Sequence, residues 1–189
     1  ILSKAIETNK KEDARINFIE ADGRKIPFPA NNFDAVILKH VLHNVPNYTK
    51  VISECNRVLK KEGKLAIALT SKKTRLVIKK LKSEMAKNIK VDSYPDAEEY
   101  VNLEDTPKKL GGKYWKNIKI KSFLSRAIFK EAKPLIEYLE SGRDFWGKID
   151  NKKWENALSF SENYINKKLK KYKTIKDKSI MGIVIATKK

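Results

Sequence analysis

The chain has 189 residues, 41% of them apolar, which suits one domain or one domain with a cap. Its 42 basic and 23 acidic side chains give a net charge of +19, most of it on residues 71–189. The single cysteine, Cys55, excludes an intramolecular disulfide and favours a reducing, cytoplasmic location, and no apolar run approaches the roughly 20 residues of a membrane span.

The spacing of apolar residues in the first half predicts alternating helices and strands. In chain order the predicted elements are the end of a helix at 1–11, strands at 16–20 and 33–38, a helix at 48–61, a strand at 64–69 and a helix at 72–89. The run Phe33–Leu38 is typical of a strand buried on both faces of a parallel sheet. Val51, Cys55 and Val58 repeat at helical spacing, and Gly63 is predicted to cap the end of that helix.

The second half is less regular. Its predicted elements are an irregular acidic segment at 92–105, a short helix at 106–110, an edge strand at 117–123, helices at 127–140 and 152–171, and a final strand at 179–187. Thr106-Pro107 is typical of a helix start. Lysines alternate with apolar residues over 117–123, as expected of an exposed or edge strand. Pro134 is predicted to kink or restart the helix in which it lies.

A series of short motifs fills residues 16–70. They are Phe18-Ile19-Glu20-Ala21-Asp22-Gly23, Ile26-Pro27-Phe28-Pro29, Phe33-Asp34-Ala35-Val36-Ile37-Leu38, Val41-Leu42-His43-Asn44-Val45, Glu54-Cys55-Asn56-Arg57-Val58-Leu59 and Glu62-Gly63-Lys64-Leu65. The series resembles the middle of the class I S-adenosylmethionine-dependent methyltransferases, of the small-molecule type that includes the ubiquinone and menaquinone enzymes. The resemblance implies an α/β fold with a Rossmann-like class I methyltransferase sheet and a helical cap. It also implies S-adenosylmethionine as cofactor and methyl transfer to a small-molecule acceptor.

The resemblance further implies one methyltransferase-like domain over residues 1–189. Residues 1–70 would supply part of the cofactor-binding core, 71–178 a helical cap with an edge strand, and 179–189 the last strand. In the family two strands, a helix and a Gly-rich turn precede the matched block, whereas no Gly-x-Gly precedes Asp22 here. We therefore expect this chain to be either a fragment of an enzyme or a remnant that binds the cofactor poorly unaided, with an open apolar strand edge that limits its solubility.

The candidate cofactor residues follow two predicted strands, because ligands of open α/β sheets bind at the carboxyl ends of the strands. Asp22 and Gly23 match the pair that receives the adenine, although Asp-Gly is also a common turn. Lys39 and His40 match backbone that lies against the methionine part, and a lysine side chain is unexpected beside a sulfonium. His40 and His43 are weak candidates for a catalytic base, with packing as the alternative role of His43. Two histidines alone do not predict a metal.

We expect structural roles for the other charged residues considered in the motifs of residues 16–70. Asp34 opens its strand at the end opposite the ligand side. Glu54 and Arg57 are three residues apart on one predicted helix face and are expected to form a solvated pair.

Aromatic residues of the second half are candidates for the acceptor pocket, with ordinary cap packing as the alternative: Tyr94, Tyr100, Phe145 and Trp146. Besides small-molecule methyl transfer, two functions stay open. An RNA or protein methyltransferase could dock through the basic residues 71–189, and a methyltransferase-like subunit could lack catalysis. The basic half suits nucleic acid or an anionic membrane, but 36 lysines against 6 arginines also fit a compositional bias. The acceptor atom and the oligomeric state do not follow from the sequence.

Overall fold

The structure, a computed structural model, describes residues 6–7, 16–91 and 101–189. In chain order its elements are β1 (Phe33–Lys39), a 3₁₀ turn (Leu42–Asn44), α1 (Tyr48–Val58), β2 (Leu59–Thr70), α2 (Leu76–Ile89), α3 (Thr106–Leu110), β3 (Trp115–Phe129), α4 (Lys133–Ser141), a second 3₁₀ turn (Arg143–Trp146), α5 (Asn151–Tyr172) and β4 (Ile175–Lys188). None of the helices in these ranges has the length and apolarity needed to cross a membrane.

The four strands form one sheet in the order β1-β2-β4-β3. β1 and β2 are parallel, with Ala35 opposite Lys64 and Lys39 opposite Ala68, and α1 connects them. This confirms that the strand predicted at 33–38 belongs to a parallel pair. β4 is antiparallel to both β2 and β3, so β3 is an edge strand, as its alternating sequence predicted.

The junction of α1 and β2 differs from the prediction. The helix ends at Val58 rather than Lys61, and Gly63 lies inside β2 rather than capping the helix. The pairing register jumps from Phe33 opposite Leu59 to Ala35 opposite Lys64, so residues 60–63 form a bulge. A Cβ on Gly63 would lie 2.8 Å from the Lys60 carbonyl oxygen, so this tight bulge requires a residue without a side chain.

Two buried clusters cover opposite faces of the sheet. The first joins α1 and α3 to β2 and β4 through residues such as Cys55, Ile67 and Val184. The second joins α2, α4 and α5 around Trp154, and it reaches the sheet at Ile175. Val184 and Ile175 are nine positions apart in one regular strand, and because side chains alternate along a strand they lie on opposite faces.

Three further predictions need correction. Ile16–Glu20 is not a strand, because no strand among the described residues lies beside it to pair with. The helix predicted at 127–140 is only α4, because β3 continues to Phe129 in its pairing with β4, and Pro134 lies in the first turn of α4 instead of kinking it. The final strand begins at Ile175 rather than Ser179. The predicted helix at 1–11 and the segment at 92–100 lie outside the described residues, except that Ile6 and Glu7 are helical.

Candidate functional site

The Asp22-Gly23 pair forms a tight turn beside α1. The Asp22 carbonyl oxygen accepts the Lys25 N–H at 2.8 Å, and its carboxylate accepts the Arg24 N–H at 2.8 Å. The Arg24 guanidinium also donates to both carboxylate oxygens, which holds the pKa of the exposed Asp22 carboxyl well below its ordinary value, at about 2. Asp22 is therefore an ionised acceptor at neutral pH. Gly23 faces the side chain of Val51 in the first half of α1.

Glu54 and Arg57 fasten the segment after this turn to α1. The Arg57 guanidinium donates to the carbonyl oxygens of Ile26 and Phe28, each at 2.8 Å. It also donates to both oxygens of Glu54, and Glu54 accepts the Ile26 N–H at 2.9 Å. The predicted pair thus exists, but it anchors the backbone rather than standing in solvent. The Arg57 hydrogen bonds lower the pKa of Glu54 to about 2.

The carboxyl end of β1 holds the second candidate group. Lys39 is exposed, and because side chains alternate it lies on the opposite face of β1 from the buried Leu38. His40 has a left-handed backbone, φ 52°, and its N–H donates to the Ala68 carbonyl oxygen at 3.3 Å. His43 follows in the 3₁₀ turn, with its ring centroid 6.2 Å from that of His40. The chain then enters α1, whose first half borders Gly23, so both candidate groups lie at the carboxyl side of the sheet.

The aromatic candidates in the second half are only partly described. Tyr94 and Tyr100 lie outside the described residues, as does the side chain of Phe145. Trp146 packs on Trp154, with ring centroids 6.1 Å apart, and belongs to the cluster formed by α2, α4 and α5. Its position in that cluster fits the packing alternative, whereas a role in an acceptor pocket stays a prediction.

A cavity of about 550 Å³ lies between α1 and α3. Its apolar and aromatic walls come from the 3₁₀ turn, both helices and the start of β3: Leu42, Tyr48, Ile52, Leu110, Tyr114 and Trp115. Asn56 also lines it, and the side-chain nitrogen of Asn56 is buried with no hydrogen-bond partner in the described part of the chain. A buried amide without a partner is uncommon and costly, so this donor indicates a place where a ligand oxygen or a water would be accepted.

Sequence reasoning missed both the anchor and the cavity. The Glu54–Arg57 spacing signalled a pair, but its contacts with Ile26 and Phe28 span about thirty positions and depend on the fold. The cavity depends on how closely α1 and α3 approach, for which the sequence carries no signal.

Comparisons with known proteins bear on this arrangement. Residues 2–67 match the family model of the methyltransferase domain. A ubiquinone/menaquinone biosynthesis C-methyltransferase of Rhizobium etli is 40% identical over 58 residues, which are 31% of this chain and 22% of the relative. A demethylmenaquinone methyltransferase of Geobacillus sp. is 35% identical over 75 residues, 40% of this chain and 32% of the relative. The chain thus spans at most about a third of the length of these relatives. The resemblance to the class I methyltransferases is confirmed.

Solved structures support the same fold over nearly the whole chain. The BH2331 protein of Bacillus halodurans has a TM-score of 0.53 at 16% identity, covering 99% of this chain and 78% of its own. Phosphoethanolamine N-methyltransferase 2 of Haemonchus contortus, solved with S-adenosylhomocysteine, has a TM-score of 0.51 at 18% identity, covering 99% of this chain and 41% of its own. At these identities the likeness shows the fold, and the Rossmann-like class I methyltransferase fold is confirmed.

The described residues fit part of an S-adenosylmethionine site. Asp22 offers an ionised, half-exposed carboxylate, and because Arg24 already donates to both of its oxygens, an adenine amino group would share or displace one of these contacts. A Cβ on Gly23 would meet only Val51, at an ordinary 3.6 Å, so the protein's own packing does not require glycine there. Its lack of a side chain leaves the backbone open to a ligand.

Proposed function

We propose that the protein transfers a methyl group from S-adenosylmethionine to a small-molecule acceptor. The observation that carries the proposal is the Asp22-Gly23 turn, which borders Val51 in the first half of α1, toward the carboxyl side of the parallel pair β1 and β2. Arg57 and Glu54 hold the segment after this turn against the last turns of the same helix. That side is where open α/β sheets bind their ligands. The match of residues 2–67 to the methyltransferase domain names the ligand class.

The residues of this chain would then act mainly by holding and orienting. Bound S-adenosylmethionine supplies the activated methyl group on its own sulfonium, so the protein needs few catalytic side chains. Asp22 would accept a hydrogen bond from the adenine amino group, and the Gly23 backbone would lie along the ring. The backbone of Lys39 and His40 would line the methionine end. The exposed Lys39 side chain lies on the face of β1 away from Leu38, where solvent screens its charge from the sulfonium.

Calorimetry with S-adenosylhomocysteine tests the cofactor site, with the protein expressed from its intact gene. Asp22→Ala should weaken binding by about 1–3 kcal/mol, the usual loss when a buried polar group of the ligand is left unpaired. Asp34→Ala is the matched control, because Asp34 is an exposed carboxylate paired with Lys60 at the opposite end of β1. Equal affinity in both variants would remove Asp22 from the site, and absence of binding in the unaltered protein would overturn the proposal.

We further propose that the α1–α3 cavity receives the acceptor. It begins at Leu42 and Tyr48, next to the carboxyl end of β1, and its volume lies within the range of small-molecule sites. Aromatic walls and the unpartnered Asn56 donor suit a planar ring that carries a carbonyl or hydroxyl oxygen. The names of the relatives point to the same chemistry, since ubiquinone and menaquinone are ring compounds with oxygen substituents.

Asn56→Leu tests this assignment separately from the cofactor site. It removes the donor while keeping similar bulk, so the KM for a quinone-type acceptor should rise about tenfold, the equivalent of one hydrogen bond of roughly 1.4 kcal/mol. Affinity for S-adenosylhomocysteine should stay unchanged. A variant with unchanged KM would place the acceptor elsewhere without affecting the cofactor assignment, because Asp22→Ala reports on that alone.

Charge favours one alternative acceptor. Residues 71–189 carry 30 basic and 15 acidic side chains, which suits docking of RNA or an acidic protein. An RNA substrate would show methyl incorporation that falls steeply with salt, whereas a neutral small molecule would not. A non-catalytic subunit would bind cofactor or partner without transferring the methyl group to either kind of acceptor.

A further inference from the structure

Strands β3 and β4 continue beyond the carboxyl end of β2 as a two-stranded ribbon. β2 pairs with β4 only as far as Thr70, opposite Met181, whereas β3 and β4 stay paired to Phe129, opposite Ile175. At about 3.4 Å per residue the ribbon projects roughly 20 Å past β2. It leaves the sheet at the same edge as the carboxyl ends of β1 and β2, where the candidate cofactor residues lie.

One face of this ribbon combines aliphatic and cationic side chains. Directly opposite residues of an antiparallel pair share a face. Three such pairs form what we call the ribbon face: Leu124 with Ile180, Arg126 with Lys178, and Ile128 with Lys176. Leu124 is 50% exposed and Ile128 is 55% exposed, and the three cations are also exposed.

The two faces of the ribbon differ in their cover beyond the pair Phe123 and Met181, which stays exposed on the other face beside the end of β2. On the other face, Ile175 and Phe129 pack with α2, α4 and α5, and Asp177 accepts the N–H groups of Val77 and Ile78 at the start of α2. The ribbon face lies on the side of α1 and α3, because Ile180 and the buried Val184 are four positions apart. On that side the residues packed on the sheet extend along β4 as far as Gly182, where Leu103 lies against the strand.

The charge on the ribbon face has one sign. In the described ranges no carboxylate pairs with Arg126, Lys176 or Lys178. A second copy of the chain placed face to face would bring these cations together, which disfavours a symmetric dimer through this surface. A nucleic acid would pair with the cations but gain nothing from Leu124 and Ile128. An anionic bilayer satisfies both groups, since phosphates meet the cations and the aliphatic side chains enter the headgroup region.

We propose that the ribbon face binds the surface of an anionic lipid bilayer. The inference rests on the ribbon alone and does not depend on the proposed methyl transfer. Because the ribbon leaves the sheet at the carboxyl edge, binding would bring the candidate cofactor residues toward the bilayer.

Sedimentation with phosphatidylcholine vesicles, with and without phosphatidylglycerol, tests the proposal with the protein expressed from its intact gene. Binding should require phosphatidylglycerol and weaken with salt. The double variant Leu124→Ser and Ile128→Ser should bind about tenfold more weakly, because two half-exposed aliphatic side chains lose their burial. The matched control, Leu76→Ser with Tyr172→Ser, removes two comparably exposed apolar side chains from the helices and should bind normally.

A second pair of variants separates local from general charge. Neutralising the ribbon face by Arg126→Gln, Lys176→Gln and Lys178→Gln should weaken binding about fivefold for each charge removed. The control Lys152→Gln, Lys153→Gln and Lys167→Gln removes the same charge from exposed positions of α5, on the other side of the sheet, and should have a small effect. Circular dichroism checks that each variant is folded.

Three results would overturn the proposal. Equal losses in both triple variants would show that net charge alone drives binding. Unchanged binding in Leu124→Ser with Ile128→Ser would show that the aliphatic residues do not enter the bilayer. Light scattering that finds a dimer, which the same double variant dissociates while vesicles bind neither form, would assign the face to a second copy of the chain.

Discussion

Replacing Gly182 by alanine should destabilise the protein, although the sequence around Gly182 gives no sign that glycine is required there. Gly182 lies in β4, between Leu69 of β2 and Ser122 of β3. A Cβ at this position would lie 2.5 Å from the Lys121 carbonyl oxygen and 2.7 Å from Leu103 Cδ2. Contacts this short cannot persist, so either the β3–β4 ladder or the buried Leu103 side chain must move.

The magnitude follows from these contacts. Overpacking a buried site costs about 1–3 kcal/mol, and a backbone carbonyl within a strand ladder yields less than a side chain does. Alanine also lowers the conformational entropy of the unfolded chain, which stabilises the folded state by about 0.4–1 kcal/mol and offsets part of this cost. We expect a net loss of about 2 kcal/mol in the free energy of unfolding, or roughly 4–8 °C in Tm for a chain of this size.

Urea denaturation followed by circular dichroism measures the loss. Gly111→Ala is the control, because a Cβ there would meet the Lys108 carbonyl oxygen at an ordinary 3.4 Å. Leu103→Ala tests the mechanism. In the double variant the contacts with Leu103 are relieved while the contact with the Lys121 carbonyl oxygen remains, so the combined loss should be smaller than the sum of the two single losses by about 1 kcal/mol. Unchanged stability in Gly182→Ala, or strict additivity in the double variant, would refute the assigned contacts.

Two further predictions concern titrating groups. Burial raises the pKa of the Cys55 thiol to about 12, so Cys55 should react with a thiol reagent only when the protein unfolds, and labelling that is fast compared with global unfolding would contradict this. The pKa of Glu54 is lowered by Arg57, so Glu54 stabilises the fold above its unfolded pKa of about 4.3, and this contribution is lost as the pH falls toward about 2. Denaturation at a series of pH values should therefore show that Arg57→Ala lowers stability at pH 7 but has less effect near pH 2, and a loss independent of pH would exclude the pair as its cause.

Much of the fold could be predicted from the sequence because its signals are local. The apolar run Phe33–Leu38 and the helical spacing of Val51, Cys55 and Val58 determine β1 and α1. The prediction that β1 is buried on both faces is wrong, because Ile37, on the face away from Leu38, is 72% exposed. The α1–β2 junction could not be predicted, because a glycine shortly after a helix is equally consistent with a helix cap and with a bulge in the following strand. Only the pairing with β1 distinguishes the two.

Long-range pairing also explains the errors in the second half. Residues 127–129 are predicted to begin a helix, but Ala127 and Phe129 complete a ladder with Asp177 and Ile175. A strand partner about fifty positions away overrides local propensity, as it often does for edge strands. The candidate site shows the same division: Asp22 and Gly23 were visible as a motif, whereas their anchor to α1 was not.

Helix α1 connects the two halves of the proposed site. Arg57 fastens the segment that follows Asp22, while the preceding residue, Asn56, faces the α1–α3 cavity. Consecutive residues of a helix point about 100° apart, so one rigid element fixes the position of the cofactor turn relative to the acceptor cavity. Substitutions at Asp22 or Asn56 should therefore affect one ligand each, whereas Arg57→Ala should affect both, because Arg57 fastens the segment after Asp22 and also lines the cavity. Reduced affinity for S-adenosylhomocysteine together with a raised acceptor KM in Arg57→Ala would support this coupling through α1, and a change in the acceptor KM alone would contradict it.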